Sequence, residues 1–113
     1  SPVALTAAIR EFGQMPVRGR RILALGDMLE LGTAAPEEHL AIGKQIAAGR
    51  FDVVILAGPL MQHALAALPK AYYFPDKFSL HNWVMDNPQE NTHILIKGSR
   101  GMALETILPL MKN

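Results

Sequence analysis

The chain has 113 residues, half of them apolar and 19% charged, with a formal net charge of +1. That is one domain, able to bury roughly 60–70% of its extended surface and too apolar to stay disordered. Weak net charge argues against duplex nucleic acid, zero cysteines exclude disulfides and thiolate chemistry, and no apolar run nears the roughly 20 residues that cross a bilayer.

Ser1 is the expected N-cap of a first helix, with Pro2 at the first helical position, where a missing N–H costs nothing. Its expected inward stripe is Val3, Ala4, Ala7, Ala8 and Phe12, and Gly13 ends it. The basic knot Arg18-Gly19-Arg20-Arg21 reads as a solvated turn before a first strand at 21–25. A second helix opens at Pro36, with Glu37 and Glu38 where the helix dipole favours negative charge. Leu40, Gly43, Ile46 and Ala47 are its expected inner face, and Gly49 stops it.

The second strand, 53–57, is a continuous apolar run of the kind buried on both faces of a parallel sheet. A third helix opens at Pro59, carries Leu60, Met61, Ala64, Leu65 and Leu68 inward, and closes at Pro69. A strand at 71–74 leads to a short helix capped by Ser79, with Phe78 and Trp83 as a hydrophobic staple. The fourth strand, 93–96, also reads as doubly buried. A last helix runs from Gly101 towards Lys112, loosened by Pro109. This alternation predicts an α/β domain of three layers around a mostly parallel sheet. The first helix needs a strand before it to complete its own crossover, so the parent domain's first strand is expected upstream.

Two turns carry candidate chemistry. In Gly26-Asp27-Met28-Leu29-Glu30-Leu31-Gly32 a strand stops at glycine and two carboxylates follow, where parallel sheets bind ligands. Solvated turn caps are the competing reading of Asp27 and Glu30. In Lys97-Gly98-Ser99-Arg100-Gly101 two glycines allow close backbone approach, and two cations meet a helix start that attracts anions. Arg100 suits a bidentate grip on a carboxylate or phosphate, and Lys97 a point charge. The alternative is a helix start capped by Ser99 with both cations in water. The chain has no Gly-x4-Gly-Lys-Ser/Thr loop, no Gly-x-Gly-x-x-Gly and no histidine spacing suited to a metal. His39 stands apart because it follows the acidic turn; it either enters the crevice or lies on the helix surface.

The two turns in this order, with Glu105 three beyond Met102, resemble the carboxyl-terminal domain of a Mur ligase. The resemblance covers essentially the whole chain, including the opening helix and His39 after the acidic turn. It implies a Rossmann-like domain of a three-domain, cytoplasmic, bacterial enzyme of peptidoglycan synthesis. The branch of the family it points to joins D-alanyl-D-alanine to a UDP-N-acetylmuramoyl-tripeptide through an acyl phosphate made with ATP. By the same resemblance, Lys97, Ser99 and Arg100 orient the dipeptide carboxylate or the acyl-phosphate end. Asp27 and Glu30 pair with Arg100 or attract the substrate ammonium, and His39 is a further candidate.

The chain departs from the family pattern in lacking the amino-terminal domain and the central domain that carries the P-loop, ATP and magnesium. It also begins partway through a motif in which an aspartate and an aromatic residue precede an Asn-Pro-like pair. The implied partners are therefore those two linked domains, and the chain alone is expected to fold without ligating. A phosphate-sensing or receiver-like α/β binding module is the competing class.

Overall fold

Four parallel strands, β1 (Arg20–Gly26), β2 (Val53–Ala57), β3 (Tyr72–Phe74) and β4 (Thr92–Lys97), stand in the spatial order β3-β2-β1-β4. The computed structural model describes residues 1–98; Ser99, Arg100 and the helix expected beyond Gly101 lie outside the described residues. Three α-helices, α1 (Pro2–Gln14), α2 (Ala35–Ala47) and α3 (Lys77–Asp86), join 3-10 segments at Gly32–Ala34 and Met61–Ala67.

The strand period of two sorts the core into layers. Leu23 and Leu25 of β1 and Leu56 of β2 meet Leu5, Ile9 and Phe12 of α1, Ile42 and Ile46 of α2, and Met61, Ala64 and Leu68. On the other face Ile22, Ala24, Val53, Ile55 and Ala57 meet Leu80 and Val84 of α3. This is the α/β three-layer arrangement that the alternation of elements predicts. Each fully buried Leu or Ile contributes roughly 1.5–3 kcal/mol over its exposed state.

Several local expectations are corrected. The buried stripe of α1 is Leu5, Ile9 and Phe12, while Val3 is 81% exposed, because the β-sheet meets the helix face one residue further round. On α2 the inner face is Ala35, His39, Ile42, Gly43 and Ile46 rather than Leu40 and Ala47. The segment after Pro59 winds as a 3-10 helix, with bonds such as His63 N–H to Leu60 O, and is pressed onto α2. A Cβ on Gly43 would come within 2.7 Å of the Ala64 carbonyl oxygen.

The α3 cap is Asp76, whose carboxylate accepts from Ser79 N–H at 2.9 Å. That bond holds the Asp76 carboxyl below the usual carboxylate range, so the cap is lost as pH falls through this lowered value. Phe78 is 70% exposed and staples nothing; Trp83 packs instead on Tyr72 and Phe74 at 4.7 and 5.8 Å. The fourth strand is half-buried rather than doubly buried, since β4 pairs only with β1 among the described residues.

The basic knot is more than a solvated turn. Half-buried Arg21 donates to the Phe12 carbonyl at 3.4 Å and to the Met15 carbonyl, satisfying the open end of α1. Its backbone exchanges bonds with Asp52: Arg21 N–H to Oδ2 at 2.8 Å, and Asp52 N–H to the Arg21 carbonyl at 2.8 Å. Gly19 has φ +81°, and a Cβ there would lie 2.1 Å from the Asn91 carbonyl oxygen. Glycine is required where those two loops cross.

Candidate functional site

Strand order decides where a ligand can enter. From β1 the chain moves to β2 and β3 on one side, then returns through α3 to β4 on the other. The carboxyl ends of β1 and β4 therefore flank a topological switch point, where diverging connections leave a crevice. A cleft of about 260 Å³ opens there, lined by Gly26, Asp27, Met28 and Leu29 after β1, Lys97 and Gly98 at the end of β4, and Ser1, Ala4 and Leu5. Enclosed sites for drug-sized ligands hold roughly 300–1,000 Å³, so this one suits a smaller molecule. A larger groove of about 740 Å³ runs between α1 and α2, away from the strand ends.

Sheet register sets Leu25 beside Lys97, so Asp27, two residues on, shares the opening with the lysine. Asp27 is 5% exposed. Its Oδ1 accepts from Met61 N–H at 2.8 Å, while Oδ2 has no hydrogen-bond partner among the described residues. The carboxylate lies flat against Gly58, where a Cβ would fall 2.5 Å from Oδ1 and φ is +108°. Tyr73 donates its hydroxyl to the Gly58 carbonyl at 2.9 Å. Burial, and then the nearby Asp27 charge, push the Tyr73 phenol above its ordinary value. Lys97 is exposed, and its side chain makes no hydrogen bond or ion pair among the described residues.

The other candidates lie elsewhere. Glu30 is exposed on the outer turn with φ 65°, a left-handed conformation uncommon for a side-chain-bearing residue, and does not line the cleft. His39 is 0% exposed, neither in the crevice nor on the surface. Its Nε2 lies 3.0 Å from Met28 N, and its Nδ1 lies 2.7 Å from the Ala35 carbonyl oxygen. Ser99 and Arg100 lie outside the described residues. Among the described residues no group of three or more His, Cys, Asp or Glu could hold a metal ion. None of the described helices is long and apolar enough to cross a membrane.

Sequence reasoning did not find Gly58, Tyr73 and the Met61 amide as supports of Asp27. A glycine directly after β2 and before Pro59 was the available signal for the first. The burial of His39 was also visible in principle, because residues 35, 39, 42, 43 and 46 make a continuous helical stripe.

The family described as Mur ligase, glutamate ligase domain, matches residues 1–100. The chain is 34% identical over 114 aligned residues to a UDP-N-acetylmuramoyl-tripeptide–D-alanyl-D-alanine ligase of Bacillus subtilis, covering 96% of this chain and 25% of that protein. It is 32% identical to the Escherichia coli ligase of the same name, covering 93% of this chain and 23% of that one. The chain thus spans about a quarter of the length of the curated relatives it matches. Among solved structures, a MurF of Acinetobacter baumannii superposes with a TM-score of 0.81 at 24% identity, over 98% of this chain and 26% of that chain. A MurF ligase of Thermotoga maritima in complex with ADP superposes at 0.76 with 22% identity, over 98% of this chain and 25% of that one. At those identities the likeness concerns the fold.

Proposed function

This chain belongs to the Mur ligase family, matching its glutamate ligase domain, and from that premise we propose that it is the carboxyl-terminal, substrate-positioning domain of an ATP-dependent, amide-forming ligase. The enzyme adds D-alanyl-D-alanine to the UDP-N-acetylmuramoyl-tripeptide precursor of peptidoglycan in the bacterial cytoplasm. One observation carries this reading: a small cleft at the strand switch point holds Asp27 and Lys97, a carboxylate with one oxygen and an ammonium that have no partner among the described residues. A zwitterionic dipeptide has the complementary pair of charges. The names of the relatives support the same substrate.

In this reading the dipeptide ammonium meets Asp27 Oδ2, and its carboxylate meets Lys97 with Ser99 and Arg100 of the same motif. Glu30, outside the cleft, adds negative potential along the ammonium's approach. The tripeptide's terminal carboxylate is activated as an acyl phosphate, the dipeptide amine attacks its carbonyl carbon, and phosphate leaves. This domain contributes position: holding the amine against the activated carbonyl in a closed site removes much of the entropic barrier. ATP and magnesium are assigned in this reading to the central domain, as the family resemblance implies.

Phosphate release measured with ATP, precursor and dipeptide tests both halves of the proposal. The 113-residue chain alone should not turn over, and turnover would refute its role as a partial enzyme. In the ligase that carries this domain, Lys97→Met and Asp27→Asn should each raise KM for D-alanyl-D-alanine about tenfold or more, with KM for ATP unchanged. Unchanged dipeptide KM in both variants would remove the cleft from consideration.

A further inference from the structure

We propose that His39 is a positioning residue for the cleft: a neutral imidazole, protonated on Nδ1, that holds the Asp27–Met28 wall in place without touching the ligand. The inference rests on the dipeptide reading of that cleft and adds a residue acting from behind it.

The tautomer follows from the partners. A carbonyl oxygen can only accept, so the nitrogen 2.7 Å from the Ala35 oxygen, Nδ1, carries the hydrogen. A backbone N–H can only donate, so the nitrogen 3.0 Å from Met28 N, Nε2, carries the lone pair. With both nitrogens engaged and the ring wholly buried, no atom of His39 remains for a substrate. The Met28 amide is buried as well, and left unpaired it would carry the full desolvation penalty of a lost partner.

The consequence for the site comes from adjacency. Asp27 is tied to the Met61 amide, and Met28 is tied through His39 to the first turn of α2. Those two anchors are themselves locked together where Gly43 of α2 meets the Ala64 backbone. Two neighbouring residues of the cleft wall are thus fixed to two elements that cannot slide independently. The open oxygen of Asp27 is aimed before any ligand arrives, so binding need not supply the ordering entropy.

The test compares His39→Gln, whose side-chain oxygen can reach the Nε2 position, with His39→Leu, which has no acceptor. In the chain itself, imidazole nitrogen NMR should show the Nδ1–H tautomer, and the Met28 amide should exchange slowly in the native chain and His39→Gln but rapidly in His39→Leu. In the ligase that carries this domain, His39→Leu should raise dipeptide KM about tenfold, and His39→Gln should restore it to within about threefold of the native value. The Nε2–H tautomer overturns the proposal. So does a folded His39→Leu with native dipeptide KM, or a folded His39→Gln as impaired as a Leu variant is expected to be. Should His39→Leu fail to fold, the tautomer and the Gln variant decide. Asp27→Asn and Lys97→Met with native KM would instead sink the dipeptide reading, leaving the tautomer and the Met28 amide to judge the role of His39.

Discussion

The two ends of the sheet differ in how fully their charged residues are satisfied. At the amino ends, Arg21 and Asp52 spend their polar atoms on backbone: the arginine closes α1, and the aspartate exchanges bonds with the start of β1. At the carboxyl ends, Asp27 spends one oxygen on Met61 and keeps the other open, and Lys97 keeps its ammonium free among the described residues. Similar side chains are scaffold at one end and, in the proposed reading, serve recognition at the other. The difference is one of satisfaction, since a charge with every partner supplied internally has nothing left to offer a ligand.

The sharpest way to break that contrast is Gly58→Ala. A methyl group there would collide with the Asp27 carboxylate, at a backbone angle that L-residues resist. Overpacking together with the strained angle should cost about 3 kcal/mol or more in urea unfolding, and dipeptide KM should rise with it. A loss below about 1 kcal/mol would mean that the carboxylate is not held against Gly58.

Asp27 itself separates scaffold from recognition. Asp27→Ala strands the Met61 amide and should cost about 2 kcal/mol. Asp27→Asn keeps an acceptor for that amide and should cost less than about 1 kcal/mol while still losing the dipeptide. Equal stability of the two variants would show that Oδ1 does not support the fold.

At the opposite end, Arg21→Met should cost about 1 kcal/mol through the lost α1 closure, with dipeptide KM unchanged. A KM effect there would erase the distinction between the two ends. The smallest change is expected of Glu30→Gly. Relief of the left-handed strain, worth roughly 1–2 kcal/mol, is partly offset by the greater unfolded freedom of glycine, leaving a net gain of about 0.5 kcal/mol in thermal or urea unfolding. Dipeptide KM should rise only about threefold, because Glu30 lies outside the cleft.

Much of this was legible in local chemistry. The strand at 53–57 stands as the apolar run indicated, Ser1 and Pro2 start α1 as expected, and the alternation of elements indicated three layers. Misreadings came where two helix faces were nearly equal in apolar content. On α1 the alanines competed with Leu5, Ile9 and Phe12, and only contact with the sheet distinguishes the faces. His39 was misjudged because histidine is polar by type, whereas here two backbone groups satisfy both nitrogens and make burial inexpensive.

Short-range pattern alone determined the described strands, helices α1 and α2 and the acidic turn after β1, because each depends on neighbours within about a turn or a pleat. Tertiary structure alone decided that the first and fourth strands lie side by side, which brings Asp27 within reach of the same opening as Lys97. It also decided which oxygen of Asp27 is bonded to Met61 and which histidine nitrogen faces Met28. The Ala35 carbonyl is local to His39, but the Met28 and Met61 amides are paired across 11 and 34 residues, and no local periodicity encodes those pairings.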